Sequence, residues 1–240
     1  MKFTVIDLET TGLDPKKDKI IEIGLIQFKH KDYEDTIITE SYGSLQDPET
    51  PLEEIITDIT GLTDSALEGE AIDWTVVSQM LASSELIIAH NAAFDKSFLQ
   101  KVPELNLKST PWACSMKHID WGKHGFKTRS LNYLACDHGF VNPFPHRALF
   151  DCATTYKLIE KYLEELHLGC QQKEYRVAAV GASFSVKDNL KRNGYRWDPN
   201  QRVWFKTLME KTLENERKFL EAEIYQGNTH HTEELISDRM

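Results

Sequence analysis

The sequence predicts a mixed α/β fold followed by a small α+β module. Three observations carry this: strand patterns open the chain, strand and helix patterns then alternate, and the pattern restarts near residue 170. At 240 residues the chain accommodates one full domain and a small second one, at roughly 100–200 residues per domain. The expected division is a first domain over 1–170, a basic and aromatic module over 171–226, and a polar, flexible tail over 227–240.

Residues 3–9 and 19–28 read as strands, and the turn formers Gly12, Asp14 and Pro15 between them predict a hairpin. A weaker strand at 37–42 extends the hairpin into a meander. Residues 53–61 read as a short helix ending at glycine, and 74–81 as an amphipathic helix. The apolar run 85–90 is of the buried-strand type. It leads into Asn91, a good helix N-cap, and then into helical spacing over 94–102. Residues 130–136 and 147–166 are also helical, the latter with Leu149, Cys152, Ala153, Tyr156, Ile159 and Leu163 on one stripe. In the C-terminal module 175–180 is strand-like, and Ser185 with Asp188 suggests a capping box for a helix closed by Gly194. The segments 195–197 and 203–205 flank an Asp-Pro-Asn-Gln turn, and a charged helix over about 208–225 follows.

A hydrophobic share of 40 % and a charged share of 28 % fit an ordinary globular protein, and no apolar run approaches the roughly 20 residues of a membrane span. The start of the chain runs straight into a strand pattern without a signal-peptide profile, and Cys114, Cys136, Cys152 and Cys170 are too widely spaced for a zinc or redox pair. The expectation is a cytoplasmic protein with reduced, mostly buried thiols. A net charge of −10 argues against general coating of nucleic acid, but residues 173–206 hold eight Lys/Arg against three acids.

The chemistry is suggested by acids in apolar surroundings. Asp7 and Glu9 stand two apart in an apolar strand, so both project from one face. Two like charges on a core strand are costly without a positive partner, and a metal ion is an economical one. Asp95 lies in the first turn of the helix after the 85–90 strand, and Asp151 at the start of the helix after His146. Oxygen donors without a Cys or His cluster suit Mg²⁺ or Mn²⁺ rather than zinc. Taken singly, Asp95 and Asp151 are equally explained as helix-start acids that complement the macrodipole.

Three runs carry a resemblance: Val5-Ile6-Asp7-Leu8-Glu9-Thr10-Thr11-Gly12-Leu13, Ala89-His90-Asn91-Ala92-Ala93-Phe94-Asp95, and His146-Arg147-Ala148-Leu149-Phe150-Asp151. Together, in this order and over residues 1–165, they resemble the motifs of the DEDDh exonucleases, the family of the polymerase III epsilon subunit, ribonuclease T and exonuclease X. The resemblance implies a ribonuclease-H-like fold with a mixed five-stranded sheet and flanking helices. It implies that Asp7, Glu9, Asp95 and Asp151 bind two Mg²⁺ or Mn²⁺ ions and that His146 is the general base. Two ions roughly 3.5–4 Å apart can bridge a scissile phosphate, and an imidazole can take a proton from water near neutral pH.

The same resemblance suggests that Glu9 and Thr10 touch the terminal sugar, that Leu13 wedges against the last base, and that Asn91 and Phe94 line the pocket. Leu13 and Phe94 are equally explained as core residues. In the C-terminal module, Arg196, Trp197, Arg202 and Trp204 interleave bases with rings, which suits a platform for single-stranded nucleic acid. A small domain using its rings as a core accounts for them equally well. The expected activity is a DNA 3′-to-5′ exonuclease of repair or recombination acting on single-stranded 3′ ends, with a polymerase or repair protein as a further partner of the module. A proofreading subunit, an RNA-trimming enzyme and a catalytically inactive binding module are the alternatives. The complete set of four carboxylates and a histidine argues against the last.

Overall fold

The computed structural model describes residues 1–107, 110–227 and 230–237. By their contacts the residues form two units, Met1–Cys170 and Gln171–Met240.

In the first unit, β1 (Lys2–Thr10), β2 (Ile20–Lys31) and β3 (Glu34–Leu45) form an antiparallel meander. Two short helices, α1 (Glu54–Thr60) and α2 (Asp64–Leu67), lead to α3 (Trp74–Ala82). Gly61 closes α1 in the left-handed conformation, φ 71°, with its N–H donating to the Thr57 carbonyl, a helix end for which glycine is favoured. The chain then alternates: β4 (Leu86–Ala89), α4 (Ala92–Leu99), β5 (Trp112–Cys114), α5 (Ser115–His118), α6 (Leu131–Asp137) and α7 (Ala148–Ile159). A 3₁₀ turn at Glu160–Tyr162 separates α7 from α8 (Leu163–Cys170), so the helix expected over 147–166 is two helices. The sheet order is β3-β2-β1-β4-β5, with β4 parallel to β1 and β5 parallel to β4. This is the mixed five-stranded sheet with flanking helices. The sequence pattern did not identify β5, because three residues are too few to establish a period.

Strand alternation fills both faces of the sheet. Ile6, Leu8, Ile23 and Leu25 pack with Val77, Met80 and Leu81 of α3 and Phe98 of α4. Phe3, Val5, Ile26 and Phe28 pack with Cys152 and Leu158 of α7 and Leu166 of α8. Each fully buried aliphatic or aromatic side chain contributes about 1.5–3 kcal/mol.

The second unit contains β6 (Glu174–Ala179), α9 (Lys187–Arg192), β7 (Arg196–Asp198), β8 (Val203–Met209), α10 (Leu213–Phe219) and β9 (Thr232–Ser237). Its sheet has the order β7-β8-β6-β9 and is antiparallel throughout. Two expectations fail here. The helix after β6 begins with a 3₁₀ turn, Phe184–Val186, capped by Ser183 accepting from the Ser185 N–H, so no capping box forms at Ser185. Part of the expected flexible tail is the strand β9. Its polar Thr-Glu-Glu pattern hides it from an apolar reading, and it is held by backbone pairing along β6; residues 228–229 and 238–240 of that tail lie outside the described residues. Among the described residues no helix is long and apolar enough to cross a membrane.

Candidate active site

Along one face of β1 the residues run Phe3, Val5, Asp7, Glu9, and their register partners on β2 are Phe28, Ile26, Gly24 and Glu22. The face therefore changes from core to acid over four positions. Helix α7 crosses it at Gly24. A Cβ there would collide with the Ala148 backbone and lie 2.5 Å from the Leu149 nitrogen, so only glycine allows the helix this close to the sheet. That approach brings Asp151, 7 % exposed in the first turn of α7, to the acidic end of β1. Asp95 arrives from the other side. It sits in the first turn of α4, directly after β4, and is 2 % exposed.

The segment before α7 is fixed through Asp151. Its Oδ2 accepts the His146 backbone N–H at 2.9 Å, and its Oδ1 accepts from Asn142 Nδ2 at 2.6 Å. His146 has φ 62°, a left-handed conformation uncommon outside glycine, and its ring is exposed. Donor atoms of Glu9, His146 and Asp151 lie within 4.8 Å of one another. The structure thus brings an imidazole to the mouth of a carboxylate cluster.

The electrostatics are those of an uncompensated site. Burial, reinforced by Asp95, Asp151, Glu9 and Glu22, pushes the Asp7 carboxyl well above the usual carboxylate range. Burial and the same neighbours push Glu9 up to about 8, partly offset by Arg147. Burial raises Asp95 to about 7 against the hydrogen bond from the Leu8 backbone, and it raises Asp151 against the His146 N–H. At an effective dielectric of about 20, two like charges about 4 Å apart repel by about 4 kcal/mol. Four oxygen donors that resist ionising together fit hard divalent cations, which supply the missing positive charge.

Comparison with known proteins shows the family. The family model RNase_T, described as exonuclease, matches residues 4–159. The chain belongs to this exonuclease family. It is 31 % identical over 169 residues to the DNA polymerase III subunit epsilon of Aquifex aeolicus, an alignment covering 68 % of the chain and 81 % of that subunit. It is 32 % identical over 171 residues to the PolC-type DNA polymerase III of Caldanaerobacter subterraneus subsp. tengcongensis, covering 69 % of the chain but only 12 % of that polymerase. The exonuclease fold also aligns with exonuclease X in complex with 5′ overhanging duplex DNA, at TM-score 0.50 and 23 % identity over 68 % of the chain and 91 % of that structure. The nuclease domain of 3′hExo, a DEDDh family member bound to rAMP, aligns at TM-score 0.54 and 16 % identity over 68 % and 92 %.

The other sequence-derived residues divide. Leu13 is 84 % exposed on the turn after β1, which removes it from the core. Phe94 is half-buried against Phe98, ring centroids 5.0 Å apart, so it belongs partly to the core. The Thr10 hydroxyl donates to the Gly12 carbonyl at 2.6 Å and shapes that turn. Asn91 occupies the N-cap position of α4 and is exposed, but its side chain makes no capping bond. His90, in the same run, is a brace. Its Nε2 donates to the Arg129 carbonyl and its Nδ1 accepts from Ser115 Oγ, each at 2.7 Å, and burial lowers its pKa to about 4. Arg196, Trp197, Arg202 and Trp204 all belong to the second unit, where Trp197 and Trp204 are cross-strand partners with centroids 5.5 Å apart. Two residues that shape the site were missed by sequence reasoning, Asn142 and Glu22. Asn142 carries no signal in the sequence, whereas Glu22, an acid within the apolar run 20–28, carries the same signal as Asp7.

Proposed function

We propose that the protein is a 3′-to-5′ exonuclease that removes nucleotides from single-stranded 3′ ends of DNA, with Asp7, Glu9, Asp95 and Asp151 holding two Mg²⁺ or Mn²⁺ ions and His146 acting as general base. The observation that carries the reading is the cluster itself: four buried or half-buried carboxylates raised by burial, with repulsion from the others adding at Asp7 and Glu9, and with His146 within 4.8 Å of two of them. When bound, such ions activate a water and stabilise charge on the leaving oxygen. The residues of the chain do the rest. His146 takes the proton of the water whose oxygen forms the new bond to phosphorus. The bond from phosphorus to the 3′ oxygen of the preceding nucleotide breaks, that oxygen takes a proton from solvent, and a nucleoside 5′-monophosphate leaves. The Glu9 carboxylate and Thr10 position the terminal sugar, exposed Leu13 meets the last base, and Asn91 and Phe94 line the pocket.

Residues 1–170 form the catalytic domain in this reading, and 171–226 an accessory module whose Arg196, Trp197, Arg202 and Trp204 contact the strand. DNA as substrate is supported by relatives named as DNA polymerase III components and by the exonuclease X complex with DNA, while 3′hExo is described with rAMP and a 3′-exonuclease is described with a histone mRNA stem-loop. The epsilon relative also favours a second reading, a proofreading subunit whose module docks a polymerase; a stand-alone repair or recombination enzyme of the cytoplasm is the first. The test is digestion of 5′-labelled single-stranded DNA, duplex DNA and RNA side by side with Mg²⁺ or Mn²⁺. Stepwise shortening that a 3′ block stops and a 5′ block leaves intact is expected. Full activity in excess EDTA, or cutting of closed single-stranded circles, would contradict it.

A further inference from the structure

Glu22 is 6 % exposed, lies in no family motif named above, and faces Glu9 directly across the β1–β2 ladder. Two opposed carboxylates on adjacent strands destabilise a sheet unless a cation lies between them or one has another task. Glu22 has both. Arg147 Nε donates to each of its oxygens at 3.1 Å, and the Ala148 backbone N–H donates to Oε2 at 3.2 Å. Ala148 is the first residue of α7, and the N-cap residue Arg147 gives that helix no side-chain cap. The cap is therefore supplied from β2, by a residue 126 positions away in sequence.

This attachment sits directly beside His146. On one side the His146 N–H is tied to Asp151, and on the other Arg147 and Ala148 are tied to Glu22, with the left-handed His146 between them. A non-glycine residue keeps a left-handed conformation only where its surroundings over-determine it. We propose that Glu22 is a positioning residue for the reaction: with Arg147 it clamps the start of α7 to the sheet, and this holds His146 in the orientation that reaches the attacking water. The inference rests on the exonuclease reading above. Glu22 touches neither substrate nor water in it, and acts only through the segment it anchors.

The test uses the full chain and the variants Glu22→Gln, Arg147→Gln, the double variant and Arg147→Lys, with His146→Ala as reference. Glu22→Gln keeps an acceptor for the Ala148 N–H but removes the charge that grips the guanidinium. The expected result is a fall in kcat of about tenfold or more for Glu22→Gln, with KM for a short oligonucleotide and the Mg²⁺ concentration for half-maximal rate within about twofold of wild type. The double variant should be no slower than the slower single variant, since the two residues act as one unit. Arg147→Lys should recover part of the rate. A readout independent of activity is amide hydrogen exchange on the metal-free protein: His146 and Ala148 should lose protection in Glu22→Gln, while Leu158 and Ile159 of the same helix keep theirs. Wild-type kcat for Glu22→Gln, unchanged exchange at Ala148, or losses that multiply in the double variant would each overturn the proposal. An inactive wild-type protein would instead sink the exonuclease reading, and the exchange result would still decide whether the anchor exists.

Discussion

The two units of the molecule treat buried charge in opposite ways. In Met1–Cys170 like charges converge: Asp7, Glu9, Asp95 and Asp151 crowd one end of a sheet, and the Arg147 cation beside them is spent on Glu22. In Gln171–Met240 opposite charges pair: Arg176 with Asp198 at 2.9 Å and Lys206 with Glu216 at 2.7 Å. Opposite pairs lower the cost of burying charge and serve the fold. A like-charge cluster raises that cost, so the fold gains nothing from it. In the proposed function, bound metal ions supply the missing positive charge.

The largest expected effect breaks the first side of this comparison. Asp7→Ala should abolish detectable turnover, because alanine offers no oxygen donor, while the metal-free protein becomes more stable as one of the repelling carboxylates is removed. The same asymmetry gives a pH dependence with a definite sign. With folded-state pKa values of about 8 for Glu9 and about 7 for Asp95, against carboxylates near 4 in the unfolded chain, the native state holds protons the unfolded state has released. The stability these two groups contribute in EDTA is therefore fully present below about pH 4 and is lost as pH rises to about 8, which should lower Tm by several degrees over that interval. Mg²⁺ should restore it at pH 8, and Asp7→Ala should flatten the slope. A Tm in EDTA that rises over this interval would remove the idea of an uncompensated cluster.

Next in size is His146→Ala. A general base contributes about 10²–10⁴-fold, so the variant should lose that much rate while Mg²⁺ still stabilises it against heat. An equal loss of rate and of metal-induced stabilisation would make His146 a structural or ligating residue instead.

How much of this was legible in the sequence differs between the same two regions. Asp7 and Glu9 stood out because a strand with Phe3, Val5, Ile6 and Leu8 has no structural use for acids, and the period of two placed both on one face. Asp95 and Asp151 alone matched ordinary helix-start acids, and their significance came from the three runs taken together. Glu22 carried the same mark as Asp7 but lay outside those runs. Asn142 was unreadable, since its contact with Asp151 depends on how the segment before α7 folds back. In the second unit, charges that looked like a basic face were partly neutralised in place: Arg176 and Lys206 answer to Asp198 and Glu216, which the sequence places 22 and 10 positions away. Periodicity gives local structure, and pairings of this kind are tertiary. The strand β9 escaped for the related reason that backbone pairing, which leaves no side-chain signature, holds it in the sheet.

A smaller effect tests the paired side. Lys206→Met should destabilise the second unit by roughly 3 kcal/mol, the lower end for breaking a buried pair because the lysine is partly exposed. It leaves Glu216, 6 % exposed, without its cation but still accepting from the Asn193 amide. Urea unfolding should show this as a lower midpoint with the exonuclease rate on a short oligonucleotide unchanged. A midpoint equal to wild type would mean that the pairing does no more for the fold than an exposed ion pair.

The smallest effect separates the two uses of aromatic rings in the second unit. Trp197 is 48 % exposed on the edge strand β7, between the exposed Arg196 and the turn that carries Arg202, whereas Trp204 packs partly against the core formed by Val177, Leu190 and Leu208. Lys191 also reaches the Trp204 ring, its Nζ 5.9 Å from the centroid. A ring that stacks on unpaired bases contributes about 1–3 kcal/mol to binding, and phosphate contacts from the neighbouring arginines weaken with added salt. Trp197→Ala should therefore weaken binding of a long single strand by about 5- to 150-fold with Tm shifted by a few degrees at most, and Arg196→Ala should reduce the salt dependence. Trp204→Ala should lower stability first and binding only as a consequence. If Trp197→Ala binds as wild type does at low and high salt, the exposed ring is not a stacking platform, and contact with a polymerase becomes the better account of the module.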